Sequence, residues 1–461
     1  MVSRDHYQRS PEVPGSRAAP FRRSPGGKPA ISIQRIVIVC GAGGFLDGYD
    51  LLMMSAALLL LVPRFGLSSG QTGLLAALPF LGMAVGALVA GPLADRFGRR
   101  PIFLIDVGVF VLVAILLGLS QNYGELLTLR FILGLAIGAD MPTASSMLAE
   151  FSPPGRRGGL TAMINTIWLG GSVAAGLVGW LLYEAAGQDA WRWMFISGTV
   201  PAAVLMIMRH SIPETPRWLA KSGRKAEAEA AAARFGFHVD YTVGPPAISQ
   251  RGRYRELLSP GTPRIVGFFS GYWFVQAIVS APLLTYTAVI FHTVVKFSGA
   301  NALIFNLVIN ALLVAISLIL QFTVMDRHGR KPLALWTCAI ACAGTLITAF
   351  SRQTSVLLVV AYAIAIGSGQ MATLPFWPWS VEQLPTTMRA TGQAVGSAAG
   401  KLGAFVGVYY LPTALKDMGW TAAFVIQGCV FAVLVAFVAV AGRETRLADL
   451  NALDRERAQP L

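Results

Sequence analysis

About twelve long apolar runs, each bounded by Gly, Pro or charged residues, follow one another along this 461-residue chain. A helix needs about 20 consecutive apolar residues to cross the hydrocarbon core of a bilayer. The runs therefore predict an all-α membrane protein with about twelve transmembrane helices. The predicted spans cover residues 33–62, 72–93, 101–120, 125–149, 158–183, 191–210, 264–294, 300–323, 333–350, 354–377, 391–413 and 420–441.

The composition agrees with this prediction. The chain is 54% hydrophobic and only 13% charged, whereas soluble domains carry about 25% charged residues. Most of its 37 Lys and Arg residues fall in the two tails and in alternate loops, which predicts that both termini are cytoplasmic. No basic face is interleaved with stacking aromatics, so we expect no nucleic-acid partner. We expect a monomer that crosses the plasma membrane many times.

Two motifs occur twice in the sequence, at the same offset to within one residue. Asp95–Pro101 (Asp-Arg-Phe-Gly-Arg-Arg-Pro) follows the second span, and Asp326–Pro332 (Asp-Arg-His-Gly-Arg-Lys-Pro) follows the eighth. Glu150, with Arg157 seven residues later, follows the fourth span, and Glu382, with Arg389 seven residues later, follows the tenth. Two motifs at one offset indicate a duplicated six-span unit. We predict a disordered cytoplasmic tail, an N-terminal six-helix bundle, a cytoplasmic linker with a short helix, a C-terminal six-helix bundle and a cytoplasmic tail at residues 1–30, 31–210, 211–263, 264–442 and 443–461.

Two carboxylates, Asp47 and Asp50, lie within the first span. An Asp at the centre of a membrane helix costs about 3 kcal/mol on insertion scales. Residues three apart lie on one face of a helix. Apolar surroundings and a like-charged neighbour make each carboxylate easier to protonate, so we predict that the pair couples proton entry to substrate movement. The alternative is a buried pair that is tied to the backbone or to Arg130 for packing alone.

Three further ionisable residues lie within predicted spans. Asp140, in the fourth span, is a candidate proton relay or a structural hydrogen-bond partner of a facing helix. Lys401, in the eleventh span, is a cavity-facing cation that attracts an anionic substrate, or it neutralises an Asp of the first span. Arg130, in the fourth span, is either a partner of the acid pair or an anchor of that span at the outer interface.

Nothing in the sequence predicts catalysis. There is no Walker-type Gly-x-x-x-x-Gly-Lys and no His-Glu-x-x-His. The four cysteines fall in predicted spans, and no pair of them is accompanied by further ligand residues at the spacing of a metal site. We therefore predict neither an enzyme nor a cofactor nor a metal site.

The repeated Asp-Arg-x-Gly-Arg loop resembles the signature of the major facilitator superfamily. Pro213–Leu219 (Pro-Glu-Thr-Pro-Arg-Trp-Leu) and Arg130–Gly138 are similar to its sugar-porter-like branch. The resemblance implies two six-helix bundles that alternate access to a site near the bilayer midplane. It also implies that ion pairs at the ends of the helices stabilise one state of that cycle. The implied gating residues are Asp95, Arg96, Arg99, Arg100, Glu150, Arg157, Asp326, Arg327, Arg330, Lys331, Glu382 and Arg389.

The resemblance leaves the substrate open. The seventh span departs from the Gln-x-Ser-Gly segment that is typical of sugar porters. The Asp-Gly-Tyr-Asp of the first span resembles proton symporters for aromatic acids and related carboxylated metabolites. Phosphate:proton symporters are similar there and at Gly400–Gly403. The polar or aromatic substrate candidates are Lys401, Asn165, Trp168, Gln276, Tyr286, Asn306, Asn310 and Trp377.

These patterns together predict a secondary active transporter. Its expected partners are protons, the lipid bilayer and a small-molecule substrate. The leading prediction is proton-coupled uptake of a small organic anion, such as an aromatic acid or a related carboxylate metabolite. The alternatives are a phosphate symporter, a symporter of a neutral metabolite or sugar, and a proton-driven drug exporter.

Overall fold

A computed structural model describes residues 21–23, 33–151, 157–234, 237–239, 262–351, 356–384 and 389–445. Almost all of these residues are helical. The first half contains α1 (Ile33–Phe65), α2 (Ser69–Phe97), α3 (Arg99–Leu119), α4 (Tyr123–Phe151), α5 (Arg157–Ala186), α6 (Ala190–Ser197) and α7 (Thr199–His210). A short 3₁₀ turn, Gly187–Asp189, joins α5 to α6. The sixth predicted span consists of α6 and α7.

The linker region contains two short helices, α8 (Pro216–Lys221) and α9 (Lys225–Arg234). The buried Ala228 and Ala231 of α9 pack against Leu219 of α8. Two short strands, β1 (Phe21–Arg23) and β2 (Phe237–Val239), pair antiparallel. The β1 residues therefore form a strand, although they belong to the tail for which the sequence predicts disorder.

The second half repeats the arrangement of the first, with two interrupted spans. It contains α10 (Thr262–Thr293), α11 (Gly299–Ile319), α12 (Met325–His328), α13 (Arg330–Phe350), α14 (Val356–Met371), α15 (Phe376–Gln383), α16 (Arg389–Asp417) and α17 (Gly419–Ala441). A π-helical turn, Leu320–Val324, joins α11 to α12. The chain unwinds between α14 and α15, next to Pro375 and Pro378, because Pro cannot continue the helical hydrogen-bond ladder.

The described residues group into twelve helical segments that correspond to the twelve predicted spans. Eight segments within the described part of the chain are long and apolar enough to cross a membrane, judged by length and composition. The prediction of an all-α membrane protein is confirmed.

The repeated loops have matching geometry in the two halves. Gly98 lies between α2 and α3 with φ of 102°, and Gly329 lies between α12 and α13 with φ of 99°, a region that favours glycine. Glu214 accepts hydrogen bonds from the first two backbone N–H groups of α3, at 3.1 and 3.0 Å. Glu444 does the same for α13, at 3.1 and 2.8 Å. Each half thus ends in an acid that caps its own third span.

Helix packing follows the same repeat. In the first half α1 packs along α5, and in the second half α10 packs along α16. Between the halves, α2 packs along α16, α5 along α11, and α1 along α10. Exchanging the two six-span units maps this set of contacts onto itself, so these helices occupy equivalent positions in the two halves.

Several close contacts between the bundles lie in one half of the molecule. We call the face with the Gly98 and Gly329 loops the basic end, and the other face the opposite end. Toward the opposite end, Asn306 Nδ2 donates to Ser55 Oγ at 3.4 Å, and Gly73 lies against the backbone of Tyr409. These contacts hold the two bundles together at the opposite end.

Candidate substrate and proton site

A cavity lies between the two bundles and is lined by residues of both. Its volume is about 140 Å³, and an apolar cavity of about 150 Å³ is known to admit benzene. The space therefore suits a solute with a single ring. The neutral hydrogen-bonding side chains of its wall are Gln276, Ser280, Thr285, Gln370, Thr373 and Ser397. Phe80, Trp168 and Trp273 contribute aromatic surface.

An ion pair crosses the cavity and joins the bundles. Lys401 Nζ on α16 lies 3.3 Å from Asp47 Oδ2 on α1. Asp47 is only 4% exposed, and its Oδ1 has no hydrogen-bond partner among the described residues. Lys401 therefore lines the cavity, as predicted, and is also paired there with an Asp of the first span.

Asp50 forms a second ion pair, deeper in the N-terminal bundle. Arg130 Nη1 donates to both carboxylate oxygens of Asp50, at 2.7 and 2.9 Å. The Arg130 side chain is fully buried, so it does not snorkel to the outer interface. The two acids on one face of α1 thus have separate cations, one from α4 and one from α16.

Asp140 does not join the acids of α1. It pairs instead with Arg209 of α7, and Arg209 Nη1 lies 2.9 Å from Asp106 Oδ1 of α3. The guanidinium also donates to the Phe103 carbonyl at 2.9 Å and stacks 3.5 Å from the Phe103 ring centroid. We call Asp106, Asp140 and Arg209 the buried triad.

Sequence reasoning missed two members of the buried triad. It counted Arg209 with the basic loop that follows the sixth span, whereas the structure buries this residue to 1% exposure. It passed over Asp106, which interrupts the apolar third span. An ionisable residue inside a span is a functional candidate by default, so that rule would have found Asp106.

The remaining substrate candidates divide into three groups. Trp168 and Gln276 line the cavity, and Gln276 donates to the Gly369 carbonyl at 2.8 Å. Tyr286, Asn306 and Asn310 do not line it. The Tyr286 hydroxyl donates to the Val408 carbonyl at 2.8 Å, and Asn310 donates to Asn306. The side chains of Asn165 and Trp377 lie outside the described part of the structure.

The gating candidates with described contacts lie at the basic end. Arg100 donates to the His210 carbonyl at 3.1 Å, and the backbone of Arg99 is bound by Glu214. Arg330 pairs with Glu382 at 2.6 Å.

Among the other gating candidates, Lys331 Nζ donates to the Ala439 carbonyl at 2.8 Å. Arg96 and Arg327 are exposed. The side chains of Asp95, Glu150, Arg157, Asp326 and Arg389 lie outside the described residues.

The fold and the cavity between the bundles define a membrane transporter of small molecules, and known proteins agree. The family model described as Sugar (and other) transporter matches residues 36–456. YaaU of Escherichia coli (strain K12), which is named as a metabolite transport protein, is 33% identical over 392 residues, 84% of this chain and 87% of YaaU.

Two further relatives have named substrates. A gallate transporter of Pseudomonas putida is 29% identical over 396 residues, 81% of this chain and 83% of that protein. A D-xylose transporter of Levilactobacillus brevis is 27% identical over 439 residues, 89% of this chain and 93% of that protein.

A solved structure shares the fold. The partially occluded inward-open conformation of the xylose transporter XylE from E. coli superposes with a TM-score of 0.75 at 20% identity, covering 90% of this chain and 99% of XylE. The chain belongs to the family described as Sugar (and other) transporter, and it shares the fold of a xylose symporter of the major facilitator superfamily. It is a multi-pass membrane transporter and not an enzyme.

Proposed function

We propose that the chain is a proton-coupled symporter of a small, neutral, single-ring metabolite that carries several hydroxyl groups. The observation that carries the proposal is the pairing of Lys401 with Asp47 inside the cavity. With the cation neutralised, the wall offers amide and hydroxyl groups that hydrogen-bond a polyhydroxylated solute, beside aromatic surface that packs on its ring.

The ion pairs of α1 support proton coupling. A buried carboxylate and its cation are jointly neutral, whereas a protonated carboxyl leaves the cation with an uncompensated charge. Proton binding at Asp50 or Asp47 therefore changes the forces that α4 and α16 exert on α1. A proton and a solute that both favour one arrangement of the bundles are thereby coupled.

We also propose an orientation for the chain. The loops at the basic end carry Arg and Lys in both halves, and such loops face the cytoplasm. Both termini then lie on the cytoplasmic side of the plasma membrane.

A second candidate is the organic anion that the sequence favours. If a proton on Asp47 frees Lys401, the ammonium group can bind a substrate carboxylate. A gallate transporter is among the relatives. The family and the sugar-transporting relatives nevertheless support the neutral-metabolite alternative better than the organic anion.

Proteoliposomes with an imposed inward proton gradient test the proposal. We expect pentoses, hexoses or polyols to alkalinise the outside medium as they enter, and we expect a protonophore to abolish the signal. Aromatic carboxylates serve as the comparison set. Alkalinisation by carboxylates alone selects the second candidate, and solute entry without any proton movement contradicts coupling.

Lys401→Ala separates the two candidates by affinity. A hydrogen bond to a charged group contributes about 1.5–3 kcal/mol, so under the second candidate the loss of this contact weakens a carboxylate ligand roughly 10- to 100-fold. We expect the affinity of the variant for neutral solutes to fall much less. Binding of both solute sets to purified protein, measured by thermal shift, checks this expectation.

Lys416→Ala is the matched control for Lys401→Ala. Lys416 lies on the same helix but is exposed, so its replacement should change neither solute set. A large loss confined to carboxylates would overturn the neutral assignment.

A further inference from the structure

The buried triad is set apart from the cavity and from the ion pairs of α1. Arg209 lies between Asp106 and Asp140, and all three side chains are buried. Each acid comes from a different helix, α3 for Asp106 and α4 for Asp140. The triad lies between the cavity and the basic end, since Asp106 is seven residues from the start of α3, about 10 Å at helical rise.

The triad carries more negative than positive charge. Its two carboxylates face one guanidinium, whereas Asp47 and Asp50 have one cation each. Within the described interior of the bundles, four carboxylates are therefore matched by three cations. An uncompensated charge in a buried site costs several kcal/mol, and one bound proton removes the imbalance.

Hydrogen bonding places that proton between the two acids. Asp106 Oδ1 already accepts from Arg209 and from the backbone N–H of Val107. Asp106 Oδ2 is buried and has no hydrogen-bond donor in the described part of the chain. Asp140 binds the other terminal nitrogen of the same guanidinium, so the two carboxyl groups lie side by side against Arg209. Two carboxylates cannot bond each other unless one is protonated, and a shared proton satisfies the unpaired oxygen.

The triad also touches the helix that carries the acid pair. Gly43 of α1 lies against it, because a Cβ at this position would overlap the Asp140 carboxyl and approach Arg209 Nη2 to 2.7 Å. Gly43, Asp47 and Asp50 occupy one face of α1. Cys40, which precedes Gly43 by three residues on α1, is the titratable residue of this helix near Arg209 and Asp140.

We propose that Asp106 and Asp140 share one proton against Arg209, and that this second proton site links the acids of α1 to the basic end. The inference rests on the proposed function, since a transport cycle gives the site its purpose. Gly43, which lies against the triad, is one helical turn from Asp47 on α1. Protonation or deprotonation of the triad changes the net charge of the site against which Gly43 packs.

Infrared spectroscopy of the purified, substrate-free protein tests the shared proton directly. A protonated carboxyl has a C=O stretching band that moves on transfer to D₂O, and a carboxylate lacks it. We expect such a band in the unmodified protein at neutral pH. We expect Asp106→Asn and Asp140→Asn each to abolish it, because the remaining acid then forms a balanced pair with Arg209.

Asp189→Asn is the control, since Asp189 is exposed and distant in sequence from the triad. It should leave the band unchanged. A band that survives in both triad variants, or that is absent from the unmodified protein, overturns the proposal. If one variant does not fold, the other decides the result.

Transport measurements separate this inference from the proposed function. Proton-coupled uptake together with a band that survives both substitutions refutes the shared proton alone. A band that behaves as expected, without any proton-coupled uptake of solute, refutes the function and leaves the shared proton in place.

Discussion

Asp50→Asn is expected to abolish the uphill, proton-driven accumulation of solute while solute exchange across the membrane continues. The amide cannot take up a proton, so the step that follows protonation of Asp50 is lost. Exchange needs no net proton movement, and the cavity wall is unchanged because Asp50 does not line it. Uptake under a pH gradient and counterflow at equal pH, measured on the same proteoliposomes, give the two readouts.

The control for this prediction is Asp417→Asn. Asp417 is exposed at the end of α16, and its replacement should leave both readouts intact. Asp50→Asn also leaves Arg130 buried without a counter-charge, which costs about 3–5 kcal/mol in other proteins. The double variant Asp50→Asn/Arg130→Gln removes both charges, so it should fold better while still failing to accumulate solute. Full accumulation in either variant contradicts a coupling role for Asp50.

Arg209→Gln is expected to have the largest effect on stability. It leaves two buried carboxylates without their cation, and breaking a buried ion pair in this way costs about 3–5 kcal/mol. It also removes the hydrogen bond to the Phe103 carbonyl and the stacking on the Phe103 ring. The yield of folded protein and its thermal unfolding midpoint in detergent measure the effect.

A charge-balanced variant separates electrostatics from packing. Asp106→Asn/Asp140→Asn/Arg209→Gln carries no charge in the triad, so it should recover much of the stability lost in Arg209→Gln. Arg64→Gln, at an exposed position near the end of α1, should be neutral. If Arg209→Gln is as stable as the unmodified protein, the triad does not hold α3, α4 and α7 together.

Much of the fold follows from local sequence. The apolar runs locate the spans because each must satisfy its own backbone within the bilayer, and the repeated loops reveal the duplication. The break between α14 and α15 falls inside the apolar run that predicts one continuous tenth span. Pro375 and Pro378 lie so close to the end of this run that they predict the end of the helix and not an interruption within it. The π-helical turn before α12 has no comparable signal.

The candidate site was only partly predictable for a different reason. Asp47 and Asp50 stand out in the sequence, but their cations lie far along the chain, and partner choice depends on how α4 and α16 rotate against α1. Arg209 lies in the last turn of the apolar helix α7, and a basic residue in that position is also typical of a charge at a membrane surface. Only the packing of α7 against α3 distinguishes the two cases.

The two capping acids extend the correspondence between the halves beyond the last transmembrane helix of each. Glu214 and Glu444 both lie beyond the last apolar residue of their halves, and each closes back onto the third span of its own half. The structural correspondence between the halves therefore extends to this acid and to the Thr that follows it. A fragment that ends with α7 or α17 lacks the cap on its own third span, whereas a division of the chain beyond Thr215 keeps this cap in both halves.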